Sequence, residues 1–463
     1  MTTLRVTALH SSPAASVSLT VLRRFIERVR ARILPQSKAG AAVGSNVAWL
    51  MLDKLVRAGL ALTVGAWVAR HLGPTGFGEL SYAVTLIVLF QGVCNLGADG
   101  IIVRDIARSP DRAAEILGTA FRLRLLVGLC CWGVAVGLVA LLRPQDTQAI
   151  ALTAIVGASL VFQAADTVDL WFQSQSRNAY PVKAKLTAYA LANAVRIGLL
   201  LNHAPLWTFA LAAVIDAVAL ASALAVVYPS LKTQQPWRAS WSHAGRLLRE
   251  SLPFMVSGVS ALLYMRIDQI MIREFLGEQQ LGIYSAAVPL SQVWAVVPVA
   301  LATALAPYVA RKKAESEAAY MDALEQVFRL FAALSVVVTV ATALLAQPLI
   351  ALLYGPAYAA AAPVLALHVV ANIFIFMGVA QGLWLINEGH GRMTLYRTGL
   401  GAIVSVVGNW LLIPHFGLLG SAAVTVLAQF VAAVASNALF APHILKLQLL
   451  AFVPRLPRRR PPP

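Results

Sequence analysis

Ionisable residues standing in otherwise apolar sequence are the groups in this chain that could do chemistry. Asp53, Lys54 and Arg57 lie close together, and Arg196, Asp216, Arg266 and Asp268 follow at long intervals. In hydrocarbon each costs about 2.5 to 3.5 kcal/mol on insertion scales, so each requires a partner or a polar cavity. A guanidinium is a planar, permanently charged fork that matches phosphate oxygens. Arg57, Arg196 and Arg266, with Lys54 as a weaker contributor, are therefore the predicted contacts of an anionic headgroup. Pairing is the competing reading. Asp53 and Arg57 are four apart and share a helix face. Arg196 and Asp216 flank one short turn at comparable depth, roughly 13 and 17 Å from it by helix rise, and could neutralise each other. Arg266 and Asp268 are two apart and do not share a face. Asp268, near the end of its stretch, reads either as a coupling site or as a hydrated anchor, and Asp216 as a coupling or pairing group. Asp166 and Asp169 lie close enough to a span end to be structural.

Covalent chemistry has no comparable signal. The sequence has no GxxxxGKS/T phosphate loop, no HExxH metal pair and no GxSxG nucleophile turn. No catalytic residue, metal or cofactor is predicted, and the chain is not expected to be an enzyme. Cys94, Cys130 and Cys131 all fall in apolar stretches, with the adjacent pair pointing to different helix faces, so neither a disulfide framework nor a metal site is indicated.

The elements that must carry the buried charges are helices in a membrane. Of 463 residues, 59% are hydrophobic and 12% charged, against about 25% charged in a soluble domain. Apolar stretches of about 20 residues, each able to cross about 30 Å of hydrocarbon, recur along the chain. Hydropathy predicts twelve spans, near residues 46–70, 79–98, 117–142, 149–171, 184–203, 206–228, 251–273, 281–308, 326–353, 360–386, 394–413 and 419–441. The predicted fold is all-α and polytopic. A net charge of +17 would suggest nucleic acid in a soluble protein, but 29 of the 37 Lys and Arg fall on one side of this arrangement, with Arg70, Arg143 and Arg273 near the other. The positive-inside rule places the basic side and both termini in the cytoplasm, and nucleic acid drops out as a partner.

The organisation that follows is a basic tail over 1–43, a first half over 44–228, a linker over 229–250, a second half over 251–441 and a basic, Pro-rich tail over 442–463. The first 40 residues lack the apolar core and cleavage signal of a secretory leader. Within them, Leu22, Phe25, Ile26, Val29 and Ile33 have helical spacing among arginines, which fits a basic amphipathic helix on the membrane surface or a disordered basic tail. Pro289, Pro298, Pro348 and Pro363 are candidate bends within spans.

The halves are related. LGPTGFGELSYAVTL from Leu72 matches LGEQQLGIYSAAVPL from Leu276 at seven of fifteen positions without gaps, each copy at the turn between the first and second spans of its half. This predicts a parallel repeat about an axis along the membrane normal. Together with ARHLGPTGFGELSYAVTL, NLGADGIIVRDIAR, LLYMRIDQIMI, LGIYSAAVPL and GNWLLIPHFGLLGSAAVT, spread over about residues 44–445, the chain resembles the polysaccharide transporter family of the MOP superfamily, the O-antigen flippases of Wzx type. The resemblance implies two pseudo-symmetric six-helix lobes around a central cavity. It also implies passage of an undecaprenyl-pyrophosphate-linked oligosaccharide across a bacterial inner membrane by alternating access. The implied partners are that lipid-linked oligosaccharide, membrane lipids, and a polysaccharide polymerase and assembly proteins. A drug or lipid II exporter of the same superfamily would share the fold, because fold does not fix cargo. A membrane-embedded glycosyltransferase or polymerase should expose carboxylates or a sizeable outward loop, and the outward turns here are only a handful of residues long.

Overall fold

Gly73 separates the first two spans. The computed structural model describes residues 38–175, 177, 179–228 and 236–453, with side chains from residue 54 onward, residue 55 excepted. Its first helix, α1 (Lys38–Cys94), runs for 57 residues and leaves helical geometry at Gly73, with φ 68° and ψ 173°. A straight helix of that length would reach roughly 85 Å, far more than one hydrocarbon thickness. A side chain at Gly73 would be strained in this left-handed region, which glycine enters freely.

After α1 come α2 (Asp99–Arg108), α3 (Ala113–Leu142), α4 (Thr147–Ser174), α5 (Ala179–Leu201) and α6 (Leu206–Val227). The second half holds α7 (Trp241–Leu276), α8 (Glu278–Glu315), α9 (Glu317–Leu344), the short α10 (Ala346–Leu353), α11 (Ala361–Asn387), α12 (Gly391–Phe440) and α13 (Pro442–Leu450). Ten of the helices are long and apolar enough to cross a membrane. Two of them hold two spans each, which gives twelve among the described residues. In α12 the chain reverses at Gly417 (φ 57°), so that Ser421 Oγ donates to Asn409 Oδ1 at 2.7 Å and Gly408 faces Val424. Residues 408 and 424 would stand roughly 24 Å apart in a straight helix. Leu201, Val226 and Leu344 are each 77–78% exposed, the expected position of apolar side chains whose solvent is lipid.

The turn-end halves of α1, α7, α8 and α11 share one buried cluster that includes Ala69, Tyr82, Ile272, Tyr284 and Leu365. Here the repeat shows its symmetry. A Cβ on Gly78 would lie 1.9 Å from the Glu278 carbonyl oxygen, and one on Gly282 would lie 1.8 Å from that of Pro74. Glu278 stands to Gly282 as Pro74 stands to Gly78, so the contact is reciprocal, as two-fold related surfaces require. Gly277 (φ 86°, ψ 178°) ends α7 with the geometry that Gly73 has in α1.

Two spans are bounded differently from the hydropathy reading. The ninth span is Glu317–Leu344, and residues 346–353 form a separate short helix, so Pro348 bends no span. Hydropathy joined them because α10 is also apolar. The seventh span begins at Trp241, where Ser240 Oγ accepts from His243 N–H as an N-cap, so half of the predicted linker is helix. The residues just before it dock on the first half. Trp237 packs edge-on to Phe121 (5.8 Å) and Tyr228 (5.2 Å), and the Ser240 N–H donates to Thr119 Oγ1 at 3.0 Å. In α8 a 3-10 turn at Val293–Ala295 precedes Pro298, which has no N–H to bond the Trp294 carbonyl four residues back. The amphipathic helix expected over 22–33, residues 229–235 and residues 454–463 lie outside the described residues.

Candidate translocation site and its closure

The predicted charges do not converge as one cluster. Arg57 is half-buried, its guanidinium 4.9 Å from the centroid of the Tyr189 ring, whose hydroxyl donates to the Arg57 carbonyl at 3.4 Å. Such stacking offsets part of the cost of desolvating a cation. Lys54 is exposed, and the Asp53 side chain lies outside those described. Arg196 on α5 donates to Asp216 Oδ2 on α6 at 3.3 Å, both half-buried. Toward the basic end of the first half, Lys185 pairs with Asp169 at 2.9 Å and with Asp166 at 3.8 Å. Those carboxylates are bridged rather than snorkelling.

In the second half, Asp268 is 4% exposed and is no hydrated anchor. Tyr284 Oη–H donates to its Oδ2 at 2.6 Å and the Gln269 N–H to its Oδ1 at 2.8 Å. Arg266 is half-buried, within electrostatic reach of Asp268 and His368 but in hydrogen contact with neither. The Tyr284 ring stands edge-on to buried His368 (6.0 Å), whose Nδ1 lies 2.7 Å from Ser291 Oγ, and Asn372 donates to the Ser291 carbonyl at 3.0 Å. Sequence reading passed over these residues because neutral polar side chains in a span carry no insertion penalty large enough to stand out. It also counted Arg397, near the start of the predicted 394–413 span, only among the charges of the basic side. The structure buries it in α12, its Nε donating at 2.7 Å to the Ala432 carbonyl, at a π-helical stretch (Val431–Ala435). A π-turn disturbs the regular carbonyl pairing and leaves an acceptor for such a donor.

The lobes clasp each other at the turn end in two places related by the repeat. At one, Arg70 Nη2 donates to the carbonyls of Leu352 (2.5 Å) and Ala351 (3.3 Å), and Tyr358 Oη–H to that of Ala69 (2.7 Å). At the other, the end of α7 meets the α3–α4 turn through charge. Arg273, 3% exposed, binds Asp146 at 2.5 Å and Glu278 at 3.1 Å with Tyr82 beneath it, and Arg143 binds Glu274 at 2.6 Å. Burial works to raise the Asp146 carboxyl, but the Ala149 N–H and Arg273 outweigh it and hold it below the usual carboxylate range. Deeper in, Thr85 donates to Gln269 Oε1 at 2.6 Å across the same seam. This geometry closes the turn end while leaving permanent cations within spans of both halves.

A family model described as polysaccharide biosynthesis protein matches residues 43–313. The chain belongs to that family. A second model, MatE, matches residues 253–411. Among solved structures the chain is similar to the lipid II flippase MurJ in an inward closed conformation, with TM-score 0.67, 11% identity, and 89% of this chain and 90% of that one covered. It is also similar to an inward-facing multidrug resistance MATE family transporter of the MOP superfamily (0.67, 16%, 86% and 99%) and to an outward-facing one (0.60, 17%, 88% and 96%). These likenesses show that the family member shares the fold of that flippase and those transporters. Among curated proteins no sequence match was found.

Proposed function

We propose that the protein is a flippase that moves an undecaprenyl-pyrophosphate-linked oligosaccharide from the cytoplasmic to the outer leaflet of a bacterial inner membrane, for surface or exopolysaccharide assembly. The observation that carries this reading is a pair of half-buried arginines, Arg57 and Arg266, in the spans of opposite halves of a polysaccharide biosynthesis family member. Fixed guanidinium charge at membrane depth suits a pyrophosphate. Lys54 adds charge near the basic end, which on the positive-inside rule faces the cytoplasm together with both termini. Transport proceeds by alternating access: the turn-end clasps hold the outward side shut while cargo enters, and they part as the basic end closes. No bond in the cargo is made or broken. Asp268 and Asp216, beside Asp53, are the groups available for ion coupling. Polymerase and assembly proteins receive the delivered glycan. The second reading, export of lipid II or drugs, is favoured by the MatE match and by the likeness to MurJ.

Flipping of a labelled polyprenyl-pyrophosphate oligosaccharide by reconstituted protein tests the reading. Arg57→Ala and Arg266→Ala should each reduce the rate at unchanged protein yield, with Lys replacements retaining part of it. Arg196→Ala should lower stability, and the double change with Asp216→Ala should restore it. Full transport by that double variant would remove Arg196 from the cargo contacts. Unchanged transport by all three single alanine variants would defeat the cationic site.

A further inference from the structure

A second charged site lies at the basic end, where α2 meets the start of α7. Arg104, Arg108, Arg112, His243, Arg246 and Glu250 line a recess of about 190 Å³. Its acceptors are engaged. Arg104 bridges Asp105 and Glu250, both at 2.8 Å, and Arg112 is held by Glu115 at 3.1 Å. Its donors are in surplus. Arg246 Nη2 lies 2.7 Å from His243 Nδ1. A guanidinium has no acceptor atom, so Nδ1 must be the acceptor and the neutral imidazole carries its proton on Nε2. His243 is 4% exposed, and its Nε2, shut off from the recess, has no hydrogen-bond partner among the described residues. Arg108, in the same recess, makes no ion pair among the described residues.

A second recess of about 400 Å³ adjoins the first and shares Arg104 and Glu250 with it. Its other lining is Gly97, Gly100, Ile101 and Phe254. We propose that the two recesses together bind a phosphate-bearing lipid, with the phosphate or pyrophosphate taken by Arg108 and Arg246, the latter steadied by His243 Nδ1, and the first carbons of the chain lying against Ile101 and Phe254. Acceptor-only oxygens suit guanidiniums that outnumber the recess carboxylates, both of which Arg104 already engages, and the apolar neighbour distinguishes a lipid phosphate from a free one. The site is separate from the cations within the spans and does not depend on which cargo they carry.

Binding to the full-chain protein in detergent tests this, in an Arg57→Ala/Arg266→Ala background so that the span cations do not contribute. The probes are farnesyl pyrophosphate, dioleoyl phosphatidic acid, inorganic pyrophosphate and dioleoylglycerol. Both phosphate lipids should bind about tenfold or more tighter than inorganic pyrophosphate, and dioleoylglycerol should not bind measurably. Arg108→Gln and Arg246→Gln, at exposed positions where folding is not at risk, should each weaken both lipids about tenfold. Phe254→Ser should weaken the lipids and leave inorganic pyrophosphate unchanged. A preference for farnesyl pyrophosphate would make this a docking point for cargo-like lipids, and a preference for phosphatidic acid a seat for a resident lipid; either supports the site. Lipid affinity unchanged in both glutamine variants, or inorganic pyrophosphate bound as tightly as farnesyl pyrophosphate, would overturn it.

Discussion

Arg273 and Arg143 sit in the same clasp and should behave differently when removed. Arg143 and Glu274 keep 27% and 43% side-chain exposure, and exposed pairs of this kind are worth about 0 to 1 kcal/mol. Arg143→Ala should therefore leave the melting temperature in detergent almost unmoved. Arg273 is buried against two half-exposed carboxylates, Asp146 and Glu278. Its loss forfeits charge-assisted hydrogen bonds but leaves the carboxylates in reach of water, so about 1 to 3 kcal/mol is expected rather than the larger penalty of an orphaned buried charge. Thermal unfolding of Arg273→Met and Arg143→Ala, side by side, checks the ranking; equal shifts would contradict it. Asp268 makes the opposite case. Tyr284→Phe leaves a fully buried carboxylate with one donor fewer, and the variant should be less stable than wild type, while Asp268→Asn in the same background should recover part of the loss.

At the scale of elements, two glycines of the repeat govern how closely the lobes approach. Gly78 and Gly282 allow the α1 and α8 backbones to touch, where a Cβ would fall inside 2 Å of a carbonyl oxygen. Side chains cannot rotate away from such a clash, so the helices must part. Gly78→Ala or Gly282→Ala should cost about 1 to 3 kcal/mol as an overpacking change and widen the turn end. Spin labels at positions 148 and 276 would read a longer distance in either variant than in wild type. Gly245, with open space around its Cβ, is the matched control, and Gly245→Ala should leave the distance unchanged. An unaltered distance in the Gly282 variant would mean that the turn end is not held by this contact.

At the scale of the whole molecule, the charge asymmetry of the loops predicts orientation. A reporter active only in the periplasm should be silent when fused after Ala441 and active when inserted near Thr75; the reverse pattern would invert the arrangement. Much of this scale was legible in the chain itself. Twelve spans, the parallel repeat and the family follow from local hydropathy and from matches such as Gly73 with Gly277, because span length and turn geometry depend on neighbours in sequence. Even so, the ninth span merged with α10, since both are apolar and hydropathy does not register a turn at Leu345. The ionisable residues of the candidate site could be named from the sequence, and so could the pairing of Arg196 with Asp216 across one short turn, but not the other partners. Tyr284 on Asp268, Tyr189 under Arg57, Arg397 at the Ala432 carbonyl and the convergence of Arg273 with Asp146 join residues 16 to 132 positions apart. Sequence alone determined which side chains would be expensive in a membrane; only the packing of one helix against another decided what offsets that expense, because hydrogen bonds and ion pairs act over a few ångströms of space and are indifferent to distance along the chain.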